Sequence, residues 1–164
     1  MSAPAVDGLR AVVEEVPDPE LPVLTIGDLG VVRDVRVEDD VVTVDITPTY
    51  SGCPATETIR ADVEDALRRA GVERPVVNVV LAPAWTTDWI SAQGRRRLAD
   101  AGIAPPPARR TTEGRGPVLV SLSVRCPQCG SGDTTRLSAF GATPCMSMWR
   151  CETCREPFDA LKAH

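Results

Sequence analysis

Cys126-Pro127-Gln128-Cys129-Gly130 and Cys151-Glu152-Thr153-Cys154 are two cysteine knuckles near the end of a 164-residue chain, separated by 21 residues. Two CxxC pairs at this distance have the spacing of a four-thiolate metal site, which most often holds Zn²⁺. Two residues between the thiols let the chain turn back so that both sulfurs face one ion. Gly130 assists, because it accepts a positive φ just past the second thiol. The expected result is a closed zinc site that folds a small β-ribbon, with an iron-sulfur cluster on the same thiols as the competitor. Cys145 is a fifth thiol in the same region, an additional or alternative ligand or a buried spectator, and its position between Pro144 and Met146 does not settle which.

Working outward, the other features bound what the rest of the chain does. The length suits one ordinary domain plus a small appendage. No run of about 18 apolar residues is present, so nothing reads as a membrane-spanning helix. Met1-Ser2-Ala3-Pro4 lacks the basic flank and apolar stretch of a secretory signal, which makes the cytoplasm the expected compartment. That compartment is reducing, so the six cysteines read as metal or redox residues rather than as disulfides.

Charge is uneven. Residues 1–103 carry ten arginines against eighteen carboxylates, net −8, whereas residues 104–164 carry eight basic against five acidic side chains, net +3. An acidic front half argues against nucleic acid as its main partner, because phosphate binding needs a basic face. The single histidine is His164, the last residue. Di-iron ExxH pairs, HExxH zinc sites, Ser-His-Asp triads and Cys-His dyads are therefore excluded. Neither a P-loop nor a GxGxxG turn occurs.

The fold class expected is α+β: a small sheet covered by helices, followed by the ribbon. Val6, Leu9, Val12, Val13 and Val16 form one side of a helix over residues 5–16, which ends at Pro17-Asp18-Pro19. Period-two alternation at Val35, Val37, Val42, Val44 and Ile46 around Glu38-Asp39-Asp40 predicts a hairpin. Cys53-Pro54 begins a second helix, with Pro54 at its first helical position, running to Gly71. Residues 76–81 read as a strand and residues 91–101 as a third helix. The domains expected are residues 1–103, a linker at 104–117 with four prolines, and a metal-ribbon module at 118–164. In that module residues 118–124 predict a strand, with weaker ones at 137–140 and 146–149. About 45 residues bury too little apolar surface to stand alone, so the metal is expected to supply folding free energy.

Cys53 is the sharpest candidate in the front half. A thiol just before a helix sits where free N–H groups and the macrodipole stabilise a thiolate, so it is reactive or ligates metal. The plain alternative is a half-buried capping residue. One thiol cannot hold a cluster, so further ligands would come from Asp18 or Glu20, from a second copy of the chain in a homodimer, or from a client protein. Asp18 and Glu20 flank Pro19 in a rigid turn whose plain reading is a solvated turn. Trp85 and Trp89 read as packing residues, and Arg95, Arg96 and Arg97 as a solvated helix face.

Asp18-Pro19-Glu20-Leu21-Pro22, Leu29-Gly30-Val31-Val32, residues 47–49, Cys53-Pro54 and Pro83-Ala84-Trp85 resemble the iron-sulfur assembly domain shared by SufT-type proteins and the cytosolic iron-sulfur targeting factors. The two knuckles, together with Phe140-Gly141-Ala142-Thr143-Pro144-Cys145, Trp149-Arg150-Cys151 and Glu156-Pro157-Phe158, resemble the tail of the PaaD family of phenylacetate catabolism. That tail often has a lysine where Met146 stands. The resemblance implies an accessory subunit of the phenylacetyl-CoA 1,2-epoxidase system, not itself a catalyst. Its implied partners are the iron-sulfur flavin reductase and other components of the complex. It implies help in assembling the reductase's iron-sulfur cluster, with Cys53 at the reactive position and the ribbon recognising the client. A structural subunit of the oxygenase and a nucleic-acid-binding zinc ribbon are the other two classes left open.

Overall fold

The computed structural model describes residues 6–107 and 124–163, which fall into two compact units dividing between Gly94 and Arg95. Most of the strand expected at residues 118–124 and most of the expected linker lie outside the described residues; Val124, which is described, is not in a strand. Both units mix helices with small sheets, as the α+β expectation requires.

In the first unit, α1 (Val6–Glu14) buries Leu9 and Val13. Val6, expected on the buried stripe, is exposed, because it lies at the helix's outer end. The hairpin of β1 (Val32–Glu38) and β2 (Val41–Ile46) pairs Val35 with Val44 and Val37 with Val42. Asp39 and Asp40 turn it with φ of 47° and 61°. Both φ values are positive, as a two-residue turn matching strand twist demands, and Asp tolerates them better than most residues.

From β2 the chain crosses through α2 (Thr56–Arg69) to β3 (Arg74–Val79), which runs parallel to β2. The sheet order is β1-β2-β3, which puts β3 at an edge and suits Pro75. Ile59, Val63 and Leu67 form the buried stripe of α2, one helical turn apart. The opposite face of the sheet is polar. There Arg36 donates to Asp45 at 2.6 Å and to Asp34 at 2.7 Å, and Asn78 donates to Asp45 at 3.1 Å.

Trp85 and Trp89 are packing residues. The Trp85 indole donates to the Leu29 carbonyl at 2.7 Å, and the Arg33 guanidinium lies 3.6 Å from the Trp89 ring centroid. Gly30 is required between them: at φ 70°, a Cβ there would fall 2.6 Å from the Trp89 carbonyl oxygen.

α3 (Ala92–Asp100) spans the division between the units. In the second unit β4 (Ile103–Ala104) lies parallel to β7 (Pro157–Leu161), which pairs antiparallel with β6 (Met146–Cys151), and β6 pairs with β5 (Thr134–Ser138). The strand expected at 137–140 therefore lies earlier, and Phe140 belongs to the following loop. β7 was not expected. It starts on a proline and shows only Phe158 and Ala160 as an alternating pair, too short a period to register.

Candidate metal centre and the thiol at position 53

The two knuckles repeat one backbone design. The Cys126 N–H donates to the Ser131 carbonyl at 2.9 Å, and the Cys151 N–H to that of Glu156 at 3.0 Å. The Gly130 N–H returns to Cys126 O at 2.9 Å, and the Arg155 N–H to Cys151 O at 3.0 Å. Gly130 and Arg155 hold matching positive φ of 75° and 68°. The side chains of Ser131 and Thr153 join the knuckles through a 2.8 Å hydroxyl contact.

This design gathers four sulfurs within 4.8 Å of one another, those of Cys126, Cys129, Cys151 and Cys154. Cys129 and Cys151 bring their sulfurs to 3.5 Å, and Cys126 and Cys154 theirs to 3.7 Å. A tetrahedral ion with metal–sulfur bonds of about 2.3 Å sets its thiolates roughly 3.8 Å apart. The spacing fits a single ion, whereas a cubane sharing its thiolates among several irons holds them farther apart. Cys126 and Cys151 are buried and Cys129 is exposed, so the centre has an inner and an outer side.

Hydrogen bonds to sulfur distribute charge unequally. The Cys154 N–H, 3.5 Å from Cys151 Sγ, leads in pulling the Cys151 thiol down to about 6, with the Thr153 N–H adding to it. For Cys154 the amide of Glu156 works downward, but burial and the three neighbouring sulfurs push it up to about 12. Four thiols this close do not all ionise unless a cation neutralises them, and a bound metal supplies that charge.

Cys145 is not part of this group. It is buried, with Thr143 Oγ1 2.9 Å from its sulfur and the Lys162 N–H donating to its carbonyl at 3.0 Å.

In the first unit the site is looser. Cys53 is half-buried, and its carbonyl accepts the Thr56 N–H at 3.2 Å. α2 begins at Thr56 with Ala55 as its cap, so Pro54 precedes the helix instead of opening it. Asp18 is buried, not solvated: its Oδ1 accepts the N–H groups of Glu20 at 2.9 Å and Leu21 at 2.8 Å. Burial pushes its carboxyl above the ordinary value, with those two bonds partly opposing. Among the described residues, the four ribbon cysteines are the one group of three or more that could hold a metal, so Cys53, Asp18 and Glu20 do not form such a set. Sequence reasoning missed the Ser131–Thr153 tie, and its signal was a hydroxyl residue in or beside each knuckle.

Four clustered thiols on a small antiparallel sheet are the arrangement of a metal-binding β-ribbon, and the first unit is a three-stranded sheet covered by helices. The family described as iron-sulfur cluster assembly protein matches residues 7–81, and the PaaD zinc beta ribbon domain matches residues 110–162. A protein of Escherichia coli (strain K12), named as a component of 1,2-phenylacetyl-CoA epoxidase, is 43% identical over 162 residues, 99% of this chain and 95% of that protein. The chain therefore belongs to the PaaD family. Its front half is 41% identical to the Fe-S protein maturation auxiliary factor SufT of Staphylococcus aureus (strain USA300), over 49% of this chain and 93% of that one. Among solved structures, a domain of unknown function from Bacillus anthracis superposes with a TM-score of 0.53 at 33% identity, over 57% of this chain and 90% of that one. A conserved hypothetical protein from Thermotoga maritima gives a TM-score of 0.51 at 30% identity, over 60% of this chain and 98% of that one. No helix among the described residues is long and apolar enough to cross a membrane.

Proposed function

We propose that this protein is an accessory factor of a phenylacetyl-CoA epoxidase, loading the iron-sulfur cluster of the reductase component. The observation that carries the reading is the joining of an assembly-type domain to a zinc ribbon, in a chain similar along nearly its whole length to a named epoxidase component. Cys53 handles iron or a cluster as cargo. It lies half-buried in the loop between β2 and α2, where a client can reach it. Because one thiol cannot retain a cluster, the remaining ligands come from the client, which makes the attachment transient and favours onward transfer. Zinc occupies the ribbon, holding Cys126, Cys129, Cys151 and Cys154 together and keeping a client-binding surface folded.

The test is to replace Cys53→Ser, coexpress the variant with the reductase, and measure the reductase's iron and sulfide. Loss of cluster loading is expected, and full loading would remove Cys53 from the mechanism. Elemental analysis of the purified chain should give about one zinc per protein, as a single closed four-thiolate site requires. A second reading, a structural part of the oxygenase, draws support from the relative's name as an epoxidase component. It requires copurification with the oxygenase in fixed stoichiometry and no effect of Cys53→Ser on the reductase's cluster.

A further inference from the structure

We propose that the exposed apolar strip at residues 79–84, where β3 ends, is a docking surface for a basic segment of the client that carries an apolar anchor. This rests on the client-loading reading and adds where the client is held, beside the thiol.

The topology brings the strip to the end of β2, from which the Cys53 loop departs. β2 leads into the loop that carries Cys53, α2 returns the chain, and β3 runs parallel to β2 before leaving into the strip. The Val80 N–H donates to the Ile46 carbonyl at 2.8 Å, so the two strand exits lie side by side.

The strip is apolar, exposed and held in place. Leu81 is 62% exposed and Val79 40%, and Ala82, Pro83 and Ala84 are also exposed. Single exposed apolar residues are ordinary on protein surfaces, but a consecutive run is not. It is fixed at one end by the Val80–Ile46 bond and at the other by the Trp85 indole on the Leu29 carbonyl. Little ordering entropy is then lost when a partner covers it.

Charge selects the partner. Met1–Gly94 contains seven arginines and seventeen aspartates and glutamates, a net side-chain charge of −10. Exposed Glu57, in the first turn of α2, and Asp88 belong to the elements that flank these loops. Such a field steers a basic segment inward and turns an acidic one away.

The experiment measures binding of the reductase component to the full chain at low and high salt. It compares the wild type with Leu81→Asp, Cys53→Ser and, on the ribbon, Phe140→Asp. Leu81 and Phe140 are both exposed, and thermal melts verify that each variant stays folded. Leu81→Asp should weaken binding about tenfold or more, the loss expected from an anchor at an interface centre. High salt should weaken wild-type binding, and Cys53→Ser should fail to load the reductase's cluster. Unchanged binding by Leu81→Asp, or loss confined to Phe140→Asp, overturns the strip as the docking surface. A wild-type chain that does not bind the reductase sinks the loading reading itself, and the strip's role with it.

Discussion

The first unit packs whole aliphatic side chains, with Leu9, Val13, Ile26, Val44, Val63 and Leu67 all essentially inaccessible to solvent. The ribbon's cluster is Ala104, Cys126, Trp149, Cys151, Phe158 and Ala160, so two of its six buried members are thiols of the metal centre. The same chain thus uses two sources of cohesion. Apolar side chains fill the core where helices cover a sheet, whereas in the ribbon thiols of the metal-binding cluster take part of that place.

Removing the metal is the strongest way to break that contrast. Structural zinc contributes about 10–16 kcal/mol of apparent free energy in small finger peptides, more than a module of this size has to spare. Chelation should collapse the ribbon's amide dispersion in NMR spectra and leave the first unit's signals in place. Ribbon signals that survive complete metal loss would show that the six-residue core stands alone. Acid should act in the same direction. Ligation holds the thiols in their charged form and so depresses their pKa, so this stability is present above the unfolded thiol range and is lost as pH falls. Cys154, which the Glu156 amide pulls down but burial and the neighbouring sulfurs push up, needs the ion's charge to ionise. Metal release on acidification, followed with a chromogenic chelator, checks this.

The opposite perturbation is Leu67→Ala. It should cost the first unit about 2–5 kcal/mol in denaturant unfolding, as buried leucine truncations do, while metal content stays constant. Asp18 offers a finer test. Asp18→Ala deletes the acceptor of two backbone bonds and should cost about 1–3 kcal/mol. Asp18→Asn keeps an acceptor and removes a buried charge. The folded carboxyl lies above its ordinary 3.8, so its favourable contribution is complete below that value and is lost as pH rises through the folded pKa. Asp18→Asn should therefore match or exceed the wild type at neutral pH and flatten the dependence. A neutral-pH loss as large as alanine's would mean the charge itself is needed.

The smallest effects probe the knuckle repeat. Gly130→Ala should weaken metal retention by about 1 kcal/mol, the penalty of a left-handed residue with a side chain. A Cβ there meets no atom within 4 Å, so the loss reports backbone conformation alone. Arg155→Gly should change retention in the favourable direction, by less than about 1 kcal/mol, because glycine's entropy offsets part of the relief. Competition against a chelator reads both variants.

Much of this was legible from residue types. CxxC spacing named four ligands that the fold then gathered, and period-two valines marked the hairpin of β1 and β2. The start of α2 was not legible. Pro54 suits a first helical turn, yet the loop's own bonds, Cys53 N–H to Tyr50 O and Thr56 N–H to Cys53 O, close an earlier turn and delay the helix. Arg155 hid for a similar reason. Nothing in an arginine's identity announces a positive φ, which the knuckle's return bond from its N–H to Cys151 O imposes.

The sequence by itself determined which residues could bind metal, that helices flank a hairpin, and the family, because ligand type, spacing and hydrophobic period are local properties. Only the tertiary structure decided which of six thiols share a centre. It left Cys145 out, turned Asp18 inward to cap a turn, and bonded Val80, in the Leu81 strip, to Ile46, where the chain leaves β2 toward Cys53. The physical reason is common to all three. Burial and proximity are set by how strands cross and pair, and a one-dimensional pattern does not contain the distances that result.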